Sequence, residues 1–227
     1  MTTRRALIPL IALVAGSWGL NACARAEPAA EASALAKWEA GTHYKLVPAP
    51  QPTHVAAGKV EIDEVFWYGC GHCYALEPAL ERWKAGKPAY VEFVRIPVIW
   101  GPVQRQHAKL FYTLQALRRP ELHAKVFDAI HQQGLPLSSR DEVEARAQQL
   151  AFLKREGVTE KEFDAAYDSM SVASNVLRAE DFTRKFAVGS VPVMVVNGKY
   201  MSSVDEAGTE AKLLALINDL AASEKAR

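Results

Sequence analysis

The stretch that decides the fold occupies residues 60–73 and reads VEIDEVFWYGCGHC. Its first part, up to Gly69, mixes β-branched, aromatic and acidic side chains, which is typical of a strand. Helical spacing of apolar residues begins directly after it. The sequence therefore places two cysteines, Cys70 and Cys73, at the junction of a strand and a helix.

The helix predicted after the cysteines is defined by Leu76, Leu80 and Trp83, which recur at helical spacing. Pro78 lies inside this pattern and is expected to kink the helix. Residues 90–98 then have the composition of a second buried strand. Strand, helix and strand form a βαβ unit, so we expect two parallel strands joined by a right-handed crossover.

Apolar residues keep a helical spacing from about residue 103 to 187, with breaks near Pro120, residues 134–136 and Gly157. This block is therefore predicted to be a set of consecutive helices. Two of the helix starts carry capping-box signatures, Ser139 with Glu142 and Thr159 with Glu162.

Strand character returns at residues 192–196. Asn197-Gly198 follows, the dipeptide most typical of a two-residue hairpin turn, and residues 199–202 supply the second strand. A final helix is expected to begin at the capping pair Ser203 and Glu206 and to run to about Leu220. A short edge strand is also expected at residues 44–47.

This order of elements predicts an α/β protein with a thioredoxin fold, that is, a central mixed sheet flanked by helices, and an inserted all-helical domain. The thioredoxin-like domain is predicted to comprise residues 27–102 and 188–227, and the inserted helical domain residues 103–187. Because the insertion returns the chain to the sheet, we expect two lobes that share one cleft.

The N-terminal residues have the features of an export signal. Arg4-Arg5 precedes an apolar run over residues 6–20, which is short for a membrane span. Cleavage after Ala26 predicts a signal peptide of residues 1–26 and a soluble product. Residues 20–23 instead resemble the end of a lipoprotein signal of residues 1–22, which makes Cys23 a candidate lipidation site. An uncleaved anchor is the remaining alternative.

Composition argues against a nucleic-acid partner. Of the 227 residues, 49% are hydrophobic and 23% are charged, an ordinary globular composition. The 27 lysines and arginines are balanced by 26 acidic residues, so no strong positive field would attract a phosphate backbone.

Cys70 and Cys73 are predicted to be a redox-active pair. Thiol-disulfide exchange requires a thiolate at neutral pH and an accessible sulfur. Cys70 lies at a helix start, where free N–H groups and the helix dipole favour negative charge, so its pKa should be lowered. Cys73, within the first turn, should be more buried and suited to resolving a mixed disulfide. His72 between them can stabilise the Cys70 thiolate, or is simply a solvated residue.

Other uses of a cysteine pair fit less well. A structural zinc site needs four ligands, and no second pair has suitable spacing, so no metal is expected. Haem attachment requires histidine directly after the second cysteine, where Tyr74 stands. A disulfide across two residues closes too small a loop to be an effective structural link. Exchange chemistry needs no diffusible cofactor either.

The chain resembles the DsbA family of bacterial periplasmic thiol:disulfide oxidoreductases over about residues 44–220. The most specific parts are residues 66–74, FWYGCGHCY, and residues 189–200, GSVPVMVVNGKY. The resemblance implies that Cys70 attacks, that Cys73 resolves, and that a cis proline faces the disulfide.

That proline would be Pro192, whose geometry would present the backbone of Val191 to an extended substrate. Alternatively, Pro192 is an ordinary trans proline at the start of a strand. The resemblance also implies that Glu64 is a buried acid that helps to move protons beneath the active site. Alternatively, Glu64 is a polar residue on an exposed strand face.

The function implied by the resemblance is the introduction of disulfide bonds into reduced exported proteins in the periplasm, with reoxidation by a DsbB-like membrane protein. A monomer is the simplest expectation. In one respect the chain departs from the family, because Gly71-His72 replaces the usual Pro-His and is the dipeptide of eukaryotic protein disulfide isomerases. A disulfide isomerase or reductase is therefore the alternative function, and a peptide-binding chaperone is a third.

The remaining histidines within the fold are predicted to lie outside the site: His43, His54, His107, His123 and His131. Two aromatic groups, residues 66–68 and 111–112, are expected to fill core positions; the alternative for part of the first group is that it lines the substrate groove. Phe152, Phe163 and Tyr167 are expected to form the core of the helical insertion.

Overall fold

The computed structural model describes residues 35–225 and, apart from these, only Thr2. The predictions for the signal segment, including the candidate lipidation site Cys23, lie outside the described residues. Within the described part of the chain, no helix is long and apolar enough to cross a membrane.

A five-stranded mixed sheet forms the centre of the fold. Its strands are β1 (Lys45–Leu46), β2 (Val60–Phe66), β3 (Val91–Pro97), β4 (Val193–Val196) and β5 (Tyr200–Ser202). They are arranged in the order β1-β5-β4-β2-β3, with β2 and β3 parallel and the other pairs antiparallel. Every residue of β2 is buried, so the strand that leads to the cysteines lies within the core.

The helices lie where the sequence predicts helical segments, except that the predicted final helix is divided into two. Helix α1 (Gly71–Gly86) connects β2 to β3 and contains Pro78. Five helices lie between β3 and β4: α2 (Pro102–Ala116), α3 (Leu122–His131), α4 (Glu142–Arg155), α5 (Glu160–Tyr167) and α6 (Met170–Lys185). Helices α7 (Val204–Ala207) and α8 (Glu210–Lys225) follow β5. This is a thioredoxin fold with a helical insertion, and the predicted fold class is confirmed.

The predicted helix starts agree with the structure in one case and differ in two. Thr159 and Glu162 form the expected capping box. The prediction at Ser139 is wrong, because Asp141 caps α4 by accepting hydrogen bonds from the backbone N–H groups of Val143 and Glu144. Ser203 does cap a helix, but only the short α7, since the chain turns at Gly208 with a φ of 91° before α8 begins.

The hairpin between β4 and β5 confirms the prediction from Asn197-Gly198. Both turn residues have positive φ, 50° and 65°, as a type I′ turn requires. Gly198 is also needed for space, because a Cβ there would lie 2.2 Å from the carbonyl oxygen of Gln51. The turn dipeptide thus fixes the register of the two strands.

The core has separate apolar clusters on the two faces of the sheet. One cluster joins β2 to α1 and α8, and a second joins the end of β2 to the helical insertion through Phe66, Tyr68 and Phe127. A third, around Val65, Val195 and Phe186, lies against α6. The aromatic residues expected to be core are buried except Trp67, which is half-buried and packs against the third cluster.

Candidate active site

Cys70 caps the N-terminus of α1 with its own side chain. Its backbone is extended (φ −91°, ψ 115°), and its Sγ accepts a hydrogen bond from the backbone N–H of Cys73 at 3.3 Å. Cys70 is half-buried, whereas Cys73 is fully buried among core residues, and both are free thiols. The expected difference in burial between the two cysteines is therefore confirmed.

The two thiols have different pKa values because their surroundings differ. The hydrogen bond from the side chain of Cys73 is the largest effect and, with backbone N–H groups of the first turn, lowers the pKa of Cys70 to about 6 despite its partial burial. Burial raises the pKa of Cys73 far above its usual range. Above about pH 6, Cys70 is thus mainly a thiolate beside a neutral Cys73.

His72 is exposed and contributes least to this difference. Its backbone N–H and its charge both favour the Cys70 thiolate, but they rank behind the hydrogen bonds from Cys73. The structure thus places His72 where the sequence predicts, with an electrostatic effect in the expected direction.

We expect the pKa of Cys70 to depend on a hydrogen-bond donor at position 73. Cys73→Ala removes the donor and should raise the pKa of Cys70, whereas Cys73→Ser supplies a hydroxyl donor and should keep it lower. Ultraviolet absorbance of the thiolate against pH measures both values, and comparing the two variants cancels any contribution from Cys23. Equal pKa values in the two variants would contradict the role of the side-chain donor.

The loop before β4 lies against the reactive sulfur. The Val191–Pro192 peptide bond is cis, as the resemblance implies. In its protonated form, Cys70 Sγ donates a hydrogen bond to the carbonyl oxygen of Val191 at 3.4 Å. Residues more than a hundred positions apart in sequence are therefore brought together at the edge of the site.

Glu64 lies beneath the cysteines and is completely buried, so the alternative of an exposed strand face is wrong. Its Oε2 accepts a hydrogen bond from Arg95 Nε at 2.8 Å, while Arg95 Nη2 binds Glu77 at 2.9 Å and Glu81 at 2.9 Å. Burial raises the pKa of Glu64 to about 7, although Arg95 opposes the shift. The negative charge of Glu64 also helps to raise the pKa of Cys73.

Three histidines that the sequence placed outside the site surround the segment before Cys70. His123 Nδ1 hydrogen bonds to the Tyr68 hydroxyl at 2.8 Å, and its Nε2 lies 3.3 Å from Glu77 Oε1. His131 Nε2 lies 2.8 Å from the carbonyl oxygen of Tyr68, and His107 Nδ1 accepts from the Trp67 indole at 2.9 Å.

Burial lowers the pKa of His123, and it lowers that of His107 to about 4, so the His107 ring is neutral at physiological pH. His123, Phe127 and His131 are spaced along one face of α3, and this spacing was the signal in the sequence that could have linked the two histidines. It did not show that this face packs against the active-site segment.

Together these groups form a dithiol site without ligands for a metal ion. Within residues 35–225, no three histidine, cysteine, aspartate or glutamate side chains are grouped as metal ligands. A partly accessible thiolate and a buried thiol at a helix start, with a buried carboxyl group on the preceding strand, can support attack on a disulfide and proton transfer to the buried sulfur.

Comparison with known proteins identifies the family. The thiol:disulfide interchange protein DsbA of Azotobacter vinelandii is 37% identical over 178 residues, which are 77% of this chain and 80% of the relative. DsbA of Pseudomonas syringae pv. tomato is 36% identical over 224 residues, covering 98% and 97% of the two chains. The chain belongs to the DsbA family.

The fold of this DsbA-family chain is similar to the crystal structure of Pseudomonas aeruginosa DsbA, with a TM-score of 0.77 and 34% sequence identity. The match covers 84% of this chain and 96% of that one. No general family model matches the chain. The resemblance drawn from residues 66–74 and 189–200 is confirmed, and the chain is a thiol:disulfide oxidoreductase.

Proposed function

We propose that this protein introduces disulfide bonds into reduced exported proteins in the bacterial periplasm, with Cys70 and Cys73 as its redox-active pair. The observation that carries the proposal is the contrast between the two sulfurs. Cys70 is half-buried with a pKa lowered to about 6, and Cys73 is buried with a raised pKa. A stabilised thiolate favours the reduced form of the pair and makes its disulfide a better oxidant.

The reaction consists of two exchange steps. A substrate thiolate attacks Cys70 Sγ of the oxidised protein, which forms a mixed disulfide and releases Cys73 as a thiolate that takes up a proton. A second substrate thiolate then attacks the substrate sulfur of the mixed disulfide and releases the Cys70 thiolate. The substrate loses two electrons and gains one disulfide bond, and the cysteine pair gains the two electrons.

The loop at Val191 and Pro192 is proposed to hold the substrate during both steps. The carbonyl oxygen of Val191 lies beside Cys70 Sγ, where it can accept a hydrogen bond from the backbone of an extended peptide. Pro192 has no N–H to compete for the same contact. His72 is proposed to assist by stabilising the departing Cys70 thiolate.

The redox potential tests the proposed direction of electron flow. We expect equilibration with glutathione buffers to give a potential well above the roughly −270 mV of thioredoxin. The fraction of Cys70–Cys73 disulfide is measured by mass spectrometry after alkylation. A potential near or below that of thioredoxin would overturn the proposal in favour of a reductase or isomerase.

Glu64 is proposed to donate the proton that the released Cys73 thiolate requires. Its burial beneath the site and its pKa of about 7 suit it to give up a proton near neutral pH. We expect Glu64→Gln to slow the oxidation of a reduced peptide roughly tenfold or more. Stopped-flow fluorescence against pH measures the rate, and the inflection near pH 7 should disappear.

Glu81→Gln is the matched control for this prediction. Glu81 also binds Arg95, but its side chain is 49% exposed. The control variant should keep the rate of the unsubstituted protein. If both variants slow oxidation equally, the charge around Arg95 rather than proton transfer from Glu64 would be responsible.

The proposal extends to the partners of the protein and to its location. The reduced pair is proposed to return its electrons to a DsbB-like membrane protein, and the protein is proposed to act as a monomer without a nucleic-acid partner. It would be released after cleavage at residue 26 or tethered through a lipidated Cys23. We also propose the domain limits 27–102 with 188–227, and 103–187.

A further inference from the structure

Asp63 is a buried carboxyl group that the exchange chemistry does not use. It is 1% exposed, and in the described part of the chain neither of its carboxylate oxygens has a hydrogen-bond partner. Its neighbours on the adjacent strands are Val94 and Val195. An unpaired carboxyl group in apolar surroundings destabilises a fold, so its presence requires a reason.

A cavity of about 400 Å³ lies on the face of the sheet where Asp63 points. Side chains alternate along β2, so Asp63 and the active-site acid Glu64 face opposite sides of the sheet. The apolar part of the cavity wall includes Val94, Ile96, Phe182 and Phe186. The volume is within the range of cavities that bind small molecules.

The charged groups that line this cavity already have partners. Arg95 binds the carboxylates of Glu64, Glu77 and Glu81. On α6, Arg178 donates to Asn175, and Lys185 pairs with Asp181 at 2.8 Å.

The acidic neighbour on the same strand is also satisfied. Glu61 accepts a hydrogen bond from the backbone N–H of His54 at 2.9 Å. The exposed His54, and Tyr112 on α2, complete the titratable groups of the wall. Asp63 is therefore the buried acid of this cavity that is left for a ligand.

We propose that the cavity binds a small organic cation, a primary ammonium group on an apolar body, through N–H donation to Asp63. The ammonium group would supply the hydrogen bonds and the positive charge that the carboxylate lacks, and the apolar body would contact Phe182 and Phe186. A charge-assisted bond of this kind is stronger in an enclosed site than in water. Burial and the charge of Glu61 raise the pKa of Asp63, and a bound cation would oppose that shift.

Titration of the oxidised full-length protein with benzylammonium, followed by amide NMR, tests the proposal. We expect saturable shifts at residues 61–65 and 182–186. Benzyl alcohol, a neutral analogue of similar shape, should bind at least about tenfold more weakly, because it lacks the charge. Phenylacetate, an anion, should not bind.

Two isosteric variants separate Asp63 from the general negative charge of the cavity. Asp63→Asn should weaken benzylammonium binding at least about tenfold, whereas Asp181→Asn, at the rim, should leave it within about twofold. A thermal melt of each variant confirms that it is folded, and Asp63→Val, which should melt higher than the unsubstituted protein, provides a second folded variant without the carboxyl group. Absence of saturable binding, or equal affinities for Asp63→Asn and the unsubstituted protein, would overturn the proposal.

Discussion

Replacement of Cys70 by serine is expected to lower the rate of disulfide transfer at least about 10³-fold, to the uncatalysed level. The hydroxyl group cannot form the Cys70–Cys73 disulfide, and it cannot replace a thiolate whose pKa is lowered to about 6. Oxidation of a reduced model peptide, followed by alkylation and mass spectrometry, measures the loss. This is the largest effect that we expect from a single substitution.

Cys73→Ser should abolish turnover as Cys70→Ser does, but it should leave a trapped intermediate. The Cys70 thiolate remains able to attack a substrate disulfide, but the buried thiol that would resolve the adduct is absent. We therefore expect a long-lived mixed disulfide through Cys70, visible as a shifted band on a non-reducing gel. If Cys70→Ser formed the adduct and Cys73→Ser did not, the two roles would have to be exchanged.

Arg95→Met is expected to destabilise the fold by about 3 kcal/mol near neutral pH. Arg95 is the cation shared by Glu64, which is fully buried, and Glu77, whose side chain is 9% exposed. Its removal leaves two carboxyl groups in the interior without a positive partner. The melting temperature should fall by roughly 10 °C for a chain of this size.

Arg184→Met is the control for this effect, since Arg184 pairs with Asp181 on the surface and its side chain is 78% exposed. Loss of such a surface pair should change stability by less than about 0.5 kcal/mol. Equal destabilisation by Arg95→Met and Arg184→Met would contradict the importance of burial.

The loss of stability caused by Arg95→Met, called the deficit below, should also depend on pH. Burial already raises the folded-state pKa of Glu64 to about 7, and loss of Arg95 would raise it further. A carboxyl group with a raised folded-state pKa favours the folded state at low pH and opposes it once the unfolded chain has ionised. Because both folded-state pKa values lie above that of the unfolded chain, the deficit should stay nearly constant below about pH 6 and grow as the pH rises through about 7 towards 9. A deficit that is constant over this range would show that packing, not charge, is responsible.

The sequence by itself determined the features that depend on neighbouring residues. Gly69-Cys70 after a predicted strand placed the reactive sulfur at a helix start, where free N–H groups that favour a thiolate occur in any helix. Asn197-Gly198 specified the hairpin, because its residues adopt positive φ more readily than others. Thr159 with Glu162 specified a helix start for a similarly local reason.

The tertiary structure decided which distant groups meet. The contact of Val191 with Cys70 and the association of Glu64 with Arg95 depend on how strands and helices pack. Even where the local signals were clear, Asp141 displaced Ser139 as a cap, because the backbone N–H of Ser139 is held by Gln106 of another helix. Sequence spacing reports conformation along the chain, whereas burial, ion pairing and pKa depend on neighbours that only the folded chain brings together.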